Sequence, residues 1–177
     1  MKLPMPDHFF TDRLGMFRFY YEDAEEIFYT YASKPEATKF VSWPTHERIG
    51  DSRRFLSLAR QGWASGIDYS FGIRLRNHRL IGSCGVINDQ GSIQFGYILS
   101  PSQWGNGYAT EVCRKLMGIL RSMKDVKTIG TFIDAENEAS GKVLIKSGLR
   151  VIDRRAKWFE FVNQGSRLKD CILYRLP

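Results

Sequence analysis

Between Gln103 and Glu111 the chain reads Gln-Trp-Gly-Asn-Gly-Tyr-Ala-Thr-Glu, residue types that in this order can hold an anion. The stretch follows a strand-like run, Ile93 to Leu99, and opens a helical run that continues to about Met123. Gly105 and Gly107 let the backbone approach a ligand closely, with several N–H groups pointing outward together. The first helical turn adds unpaired donors and roughly half a positive charge. A phosphorylated ligand is therefore expected at this loop. Two other phosphate loops are excluded. No Lys-Ser/Thr ends the run, as a nucleotide triphosphatase loop requires. The three-glycine dinucleotide fingerprint is absent, and so is its acidic residue at a strand end about 20 positions on. The plain alternative is an ordinary glycine turn between a strand and a helix.

Other residues with reactive potential are few. Cys84, Cys113 and Cys171 are odd in number and widely spaced, and none forms a C-x-x-C or Cys/His cluster. Neither a zinc site nor a disulfide framework is indicated, and no metal is expected. Cys113 falls on the apolar stripe of a helix and the other two lie in strand-like runs, so all three are expected to be buried thiols. That cysteine usage implies a reducing, cytoplasmic compartment. A net charge of +7 raises the question of nucleic acid. The basic residues are dispersed, however. The short clusters Arg74, Arg76, Arg79 and Arg150, Arg154, Arg155, Lys157 read as solvated strand or loop faces, so nucleic acid is not the expected partner.

The elements that must position the loop can be read from periodicity and punctuation. A strand near Gly15 to Tyr20 precedes a helix from about Asp23 to Ala32, which Ser33-Lys34-Pro35 ends. A second helical stretch runs from about Glu47 to Gln61. Strands follow near Tyr69 to Leu75, Leu80 to Ile87 and Ser92 to Leu99, with turns at Asn77-His78 and Asp89-Gln90-Gly91. The helix after the glycine loop places Ala109, Val112, Cys113, Leu116 and Leu120 on one face. A strand near Lys127 to Ile133, a helix from Glu138 to Ser147 capped by Gly148, and a hairpin over Arg150 to Leu176 complete the chain. The expectation is one α/β (α+β mixed) domain spanning 1–177, a mixed sheet with helices on both faces. No apolar run approaches the roughly 18 residues of a membrane span, and the first six residues show no signal-peptide core.

The loop resembles the acetyl-CoA loop of the GNAT acetyltransferases, Gln/Arg-x-x-Gly-x-Gly/Ala, with Trp104, Gly107 and Ala109 on its positions. Trp104 departs from the usual Gln or Arg. The form Trp-Gly-x-Gly-Tyr-Ala-Thr-Glu is typical of the ribosomal-protein-alanine (RimJ/RimL-like) branch. Thr11-Asp12-Arg13-Leu14, Glu22 to Phe28, Val41 to His46 with Arg54-Phe55-Leu56, Leu80 to Val86, Asn137-Glu138-Ala139-Ser140 and Val143 to Leu149 resemble further segments of that branch in order. So does the tail, Asn163-Gln164-Gly165 and Lys169 to Tyr174. The resemblance covers about residues 11–176. It implies a mostly antiparallel sheet that splays after its fourth strand, 92–99, to admit the pantetheine arm of acetyl-CoA.

The resemblance also assigns roles. Trp104, Gly105, Asn106, Gly107, Tyr108, Ala109 and Thr110 would hold the pyrophosphate, and the strand edge at Ile98, Leu99 and Ser100 would pair with pantetheine amides. Asn137 would hydrogen-bond the pantetheine arm; the alternative is a helix N-cap. Ser140 would protonate or hydrogen-bond the leaving thiolate; the alternative is a small solvated helix residue. Lys142 and Lys146 would lie near the adenosine 3′-phosphate or on a solvated face. Trp43, with Pro44 and His46, would border the acceptor or anchor a loop, and Tyr97 would line the cleft or point into the core. Many members of the superfamily carry a glutamate base on the fourth strand, where this chain has Gln94. Gln94 cannot take a proton, so Asp134, Glu136, Glu138 and His46 are the candidate bases. Without a strong base, an α-amine is the easier acceptor. Deprotonation at pH 7 costs about 4.6 kcal/mol for a lysine side chain and about 1 kcal/mol for an α-amine. The expected function is acetyl transfer from acetyl-CoA to a primary amine, a protein or peptide N-terminus first, by direct attack in a ternary complex of a monomer or homodimer. Small-amine acetylation and a silent acyl-CoA sensor are the competing readings.

Overall fold

The computed structural model describes residues 1–177. One eight-stranded sheet carries β1 (His8–Phe10), β2 (Leu14–Arg18), β3 (Asp68–Leu75), β4 (Leu80–Asp89), β5 (Ser92–Leu99), β6 (Thr128–Asp134), β7 (Arg150–Glu160) and β8 (Leu168–Arg175). Their spatial order is β1-β2-β3-β4-β5-β6-β8-β7. All neighbours are antiparallel except β5 and β6. A parallel pair needs a crossover, here the helix α4 (Tyr108–Arg121). The hairpins turn at the expected places, through His78 (φ 66°) and through Gln90 and Gly91 (φ 50° and 91°).

The parallel pairing is short. It runs from Ser92↔Thr128 to Gln94↔Gly130 and then stops. At the fork the Thr131 hydroxyl donates to the Phe95 carbonyl (2.8 Å), and beyond it β5 and β6 diverge. The sheet thus opens after the strand expected to open it. That strand is fifth rather than fourth because a short edge strand, β1, precedes the first one legible from sequence. Three residues, His8–Phe10, are too few to display a period.

Apolar spacing explains the two layers. Val112, Cys113, Leu116, Met117 and Leu120 bury one face of α4 against one face of the sheet, onto Phe71, Val86 and Phe95. Each large side chain so buried contributes roughly 1.5–3 kcal/mol. The opposite face is covered by α1 (Ala24–Ile27), α2 (Pro35–Thr38) and α3 (Ile49–Ser65), where Ile27, Tyr31, Ala32 and Leu56 pack on Leu80 and Ile98. Helix α5 (Glu138–Lys146) packs beside α4.

Several expectations are corrected. The helix expected over 23–32 is a 3-10 turn at Tyr21–Asp23, then α1, then a π turn over Phe28–Ala32. Ser33 closes the wide turn, its N–H and hydroxyl both donating to the Phe28 carbonyl (3.2 and 2.6 Å). The π turn lets the consecutive residues Tyr31 and Ala32 both point inward. Helix α3 runs past Gln61 to Ser65 and ends at Gly66, whose φ of 75° supplies the left-handed cap. Arg74 is not a solvated residue: it bonds Asp23 (2.8 Å) and Glu26 (3.1 Å), pinning the first helical segment to β3. Arg76 likewise caps the Thr11 and Asp12 carbonyls. The final hairpin forms as expected, and its β7 is exposed along nearly its whole length.

Candidate active site

The fork leaves β5 with one unpaired edge. Phe95 and Leu99 direct their carbonyls away from β4, towards Thr131 and Trp104, and by alternation Tyr97 faces the same way. The Trp104 indole closes this edge by donating to the Leu99 carbonyl (3.1 Å). Between them, the Tyr97 main chain and the Leu99 N–H have no partner strand, an arrangement suited to a ligand with extended amides. Ser100 lies off this edge: its N–H donates to the Ile81 carbonyl (2.7 Å), and it does not line the cavity.

The chain then makes a 3-10 turn at Pro101–Gln103 and enters the glycine loop. Gly105 and Gly107 both take φ of 78°, which a side chain would strain. A Cβ at Gly105 would meet nothing within 4 Å, so the loop presents bare backbone. The first bond of the helix is Glu111 N–H to Gly107 O, and the N–H groups from Gly105 to Thr110 have no protein partner. Arg13 adds a cation beside them. Its guanidinium lies 4.5 Å from the Tyr108 ring centroid and is held by Glu111 (2.7 and 2.6 Å), which also accepts from the Thr11 hydroxyl (2.6 Å). Burial alone would raise the Glu111 carboxyl, but the bonds from Thr11 and Arg13 hold it below its usual value. Lys142 and Lys146 reach the same side of the cavity from α5. Asn106 bonds Gln103 O (3.0 Å) and shapes the loop without lining the cavity.

On the other side of the fork Asn137 caps α5, accepting from Ser140 N–H (3.3 Å). Its amide nitrogen has no protein partner and the residue lines the cavity, so the cap leaves a donor for a ligand. The Ser140 hydroxyl meets the Tyr97 hydroxyl at 2.9 Å. Burial raises the Tyr97 phenol above its usual value, and the Ser140 bond opposes this only in part. The phenol therefore keeps its proton at neutral pH and can donate through Ser140 or beside it.

The β5 edge at Tyr97 to Leu99, the glycine loop, Asn137, Ser140, Lys142 and Lys146 open into one cavity of about 810 Å³. It continues past the fork onto the sheet face beneath α3, where Trp43 and Phe55 form walls. Trp43 is held from behind: Asn163 donates to the Trp43 and Thr38 carbonyls (2.9 and 2.8 Å) and accepts from Thr45 N–H (3.0 Å). The floor of this arm is Ser70, Gly85 and Gly96, with Asp68 at one end and Gln94 at the fork.

An acetyltransferase (GNAT) domain profile matches residues 13–150. The chain belongs to the GNAT acetyltransferases. Among relatives of this GNAT chain, the uncharacterised N-acetyltransferase YoaA of Bacillus subtilis (strain 168) is 28% identical over 144 residues, 79% of this chain and 81% of its own. Mycobacterium smegmatis RimJ, solved with a CoA-disulfide, superimposes with a TM-score of 0.85 at 17% identity, over 99% of this chain and 90% of that one. A spermidine N-acetyltransferase from Vibrio cholerae, solved with CoA and spermine, gives 0.79 at 15% identity, over 94% and 96%. The two structures establish a shared fold.

Within this GNAT domain the proposed bases Asp134, Glu136, Glu138 and His46 stand outside the cavity. Asp134 is buried, bonded to Gln164 (3.0 Å) and Glu136 N–H (2.9 Å), and Glu136 pairs with Lys169. His46 bonds Ser52 (2.8 Å), and burial lowers its imidazole. Gln94 does line the cavity. All three cysteines are buried and unpaired. Burial pushes the Cys113 thiol up to about 12 and raises Cys84 as well. Three features of the GNAT site have no counterpart in the sequence expectations: the Arg13–Glu111 clamp, the Tyr97–Ser140 contact and Asp68.

Proposed function

We propose that the protein transfers the acetyl group of acetyl-CoA to a primary amine, with a peptide or protein α-amine as the acceptor. The observation that carries this reading is the continuity of one cavity. It joins the unpaired β5 edge, the N–H groups of the glycine loop and the Tyr97–Ser140 pair to an open groove on the opposite sheet face. The residues fit acetyl-CoA by chemistry: main-chain groups of Tyr97 and Leu99 for amides, the loop N–H groups with Arg13 for pyrophosphate, and Lys142 and Lys146 for a further phosphate. Trp104, Gly105, Gly107, Tyr108, Ala109 and Thr110 form the pyrophosphate wall in this reading, and Asn137 donates to the arm.

Acetyl-CoA supplies an activated acyl carbon as a thioester. Trp43 and the groove admit the neutral amine to that carbon; a C–N bond forms, the C–S bond breaks, and the nitrogen gives up a proton as the sulfur gains one. The Ser140 hydroxyl, backed by Tyr97, donates to the sulfur. Gln94 cannot accept the proton from nitrogen, so an acceptor that enters already neutral is favoured, and an α-amine meets that condition more readily than a lysine side chain. The RimJ-like course of the whole chain and the buried, unpaired thiols support a cytoplasmic member of that branch.

The test is thiol release from acetyl-CoA against peptides of varied N-termini, polyamines and aminoglycosides. Turnover with free N-termini, abolished when the α-amine is blocked, is the expected result. Turnover with small amines alone would replace the acceptor. Tight CoA binding with no turnover would make the protein an acyl-CoA sensor.

A further inference from the structure

The groove floor is a grid set by strand register. Asp68 pairs with Ile87 and Ile87 with Gln94; in the next row Ser70 pairs with Gly85 and Gly85 with Gly96. Paired neighbours point to the same face, so both rows lie on the floor. Ile87 stands in the middle of the first row, but the second row has no side chain on β4 or β5. A Cβ at Gly96 would meet nothing within 4 Å, and one at Gly85 would only touch Ser70 at 3.6 Å. The open lane therefore runs from the fork at β5 across β4 to Asp68 and Ser70 on β3. Two strand spacings make it about 10 Å long.

At its far end Asp68 is a half-buried carboxylate with no cation. Its one side-chain bond is from the Ser70 hydroxyl (2.8 Å), and no lysine or arginine pairs with it. Burial raises its carboxyl, with the Ser70 bond opposing. The cavity's lysines, Lys142 and Lys146, lie on α5, on the other arm. The cavity's other carboxylate, Glu36, is exposed. A carboxylate withdrawn from water without a partner is stabilised most by a cation brought to it.

We propose that Asp68, positioned by Ser70, binds a second cationic group of the acceptor, carried about 10 Å from the amine that is acetylated. The inference rests on the acetyltransferase reading for which end of the lane reacts, but not for the cation site itself. Two sources carry this chemistry: a basic side chain next to a peptide's α-amine, and the distal ammonium of a polyamine. Asp68 selects the acceptor here and takes no proton in the reaction.

Two measurements test it on the whole protein. In the first, kcat and KM are compared for peptides of sequence Ala-Lys, Ala-Leu and Ala-Glu at the N-terminus, and for spermidine against a simple monoamine. The wild type should prefer the dication of each set through KM. Asp68→Asn, which keeps the Ser70 contact, should reduce that preference about ten- to a hundredfold with kcat for the dication little changed. Whichever set shows the preference identifies the source. In the second, titration calorimetry with CoA present measures spermidine and Ala-Lys peptide binding without turnover. Loss of binding in Asp68→Asn supports the site even if no acetyl transfer is seen, a result that would sink only the catalytic reading. Equal binding by wild type and Asp68→Asn, no binding to either, or no preference for dications overturns the proposal.

Discussion

In the proposed reaction Ser140 and Tyr97 share one proton route, and their 2.9 Å contact makes a specific prediction about removing it. Ser140→Ala should lower kcat about 10²-fold, the lower range for a general acid, while CoA affinity in calorimetry stays unchanged. Tyr97→Phe should lower kcat less, since the serine hydroxyl remains. The double variant should be little worse than Ser140→Ala, because the two groups act on the same proton. Additive losses would mean that they serve separate steps. Ser140 and Asn137 were legible as residues because they sit three apart at a helix start, where an Asn cap and the next turn's hydroxyl necessarily adjoin. Tyr97 was named as a cleft residue, but its contact with Ser140 was not legible. Tyr97 lies 43 positions away, on a strand, and no local period links a strand residue to a helix across a fork. Asp68 was hidden for the same reason. Its neighbours in the groove, Gly85 and Gly96, are brought to it by strand register alone.

Elements decide where these groups stand, and two can be tested directly. Glu111, in the first turn of α4, clamps the Thr11–Arg13 segment that leads into β2. Its folded carboxyl lies below its ordinary value of 4.5, so the clamp contributes fully above that pH and is lost as pH falls through the lower folded value. Glu111→Gln should lower the thermal midpoint at pH 7 by about 2–4 °C, as a loss of about 1 kcal/mol does in a chain this size. The gap between variant and wild type should narrow as pH falls below 4.5. A gap independent of pH would place the effect in packing. In β5, Gly96→Val adds a strand-favouring side chain into open space, so the fold should keep its stability. It should cut kcat/KM for the acceptor at least tenfold by blocking the lane, about the penalty of a misplaced reactant, and leave CoA binding intact. α4 and the β4–β5 hairpin were legible because their apolar periods run long and uninterrupted. The first helical segment was not, since a π turn changes the period within five residues and pattern reading assumes a constant one.

At the scale of the molecule, the order of elements was legible because each strand is bounded by turns and the loop marks the crossover, whereas the fork was expected from the family resemblance alone. The roof of the groove was not legible: Asn163 reaches Thr38, Trp43 and Thr45 across 118 to 125 positions. The exposed strand β7 has a different consequence. An exposed edge strand of 11 residues, carrying Val151, Ile152 and Trp158 on its surface, is a template on which another chain can add a strand. Two irregularities blunt it. Between Val151 and Asp153 one extra residue interrupts the ladder to β8, and between Arg155 and Phe159 two more do. In the second, Lys157 is turned to a φ of 45° and its N–H is taken by Asp170 (2.9 Å). Arg154, Arg155 and Lys157 add like charge along the same edge. Asp170→Ala, which frees the bulge, combined with Thr at those three positions should leave a straighter edge without its net positive charge. Light scattering should then rise with concentration while the wild type stays unchanged. The bent, basic margin of the sheet thus disfavours the addition of another strand to β7.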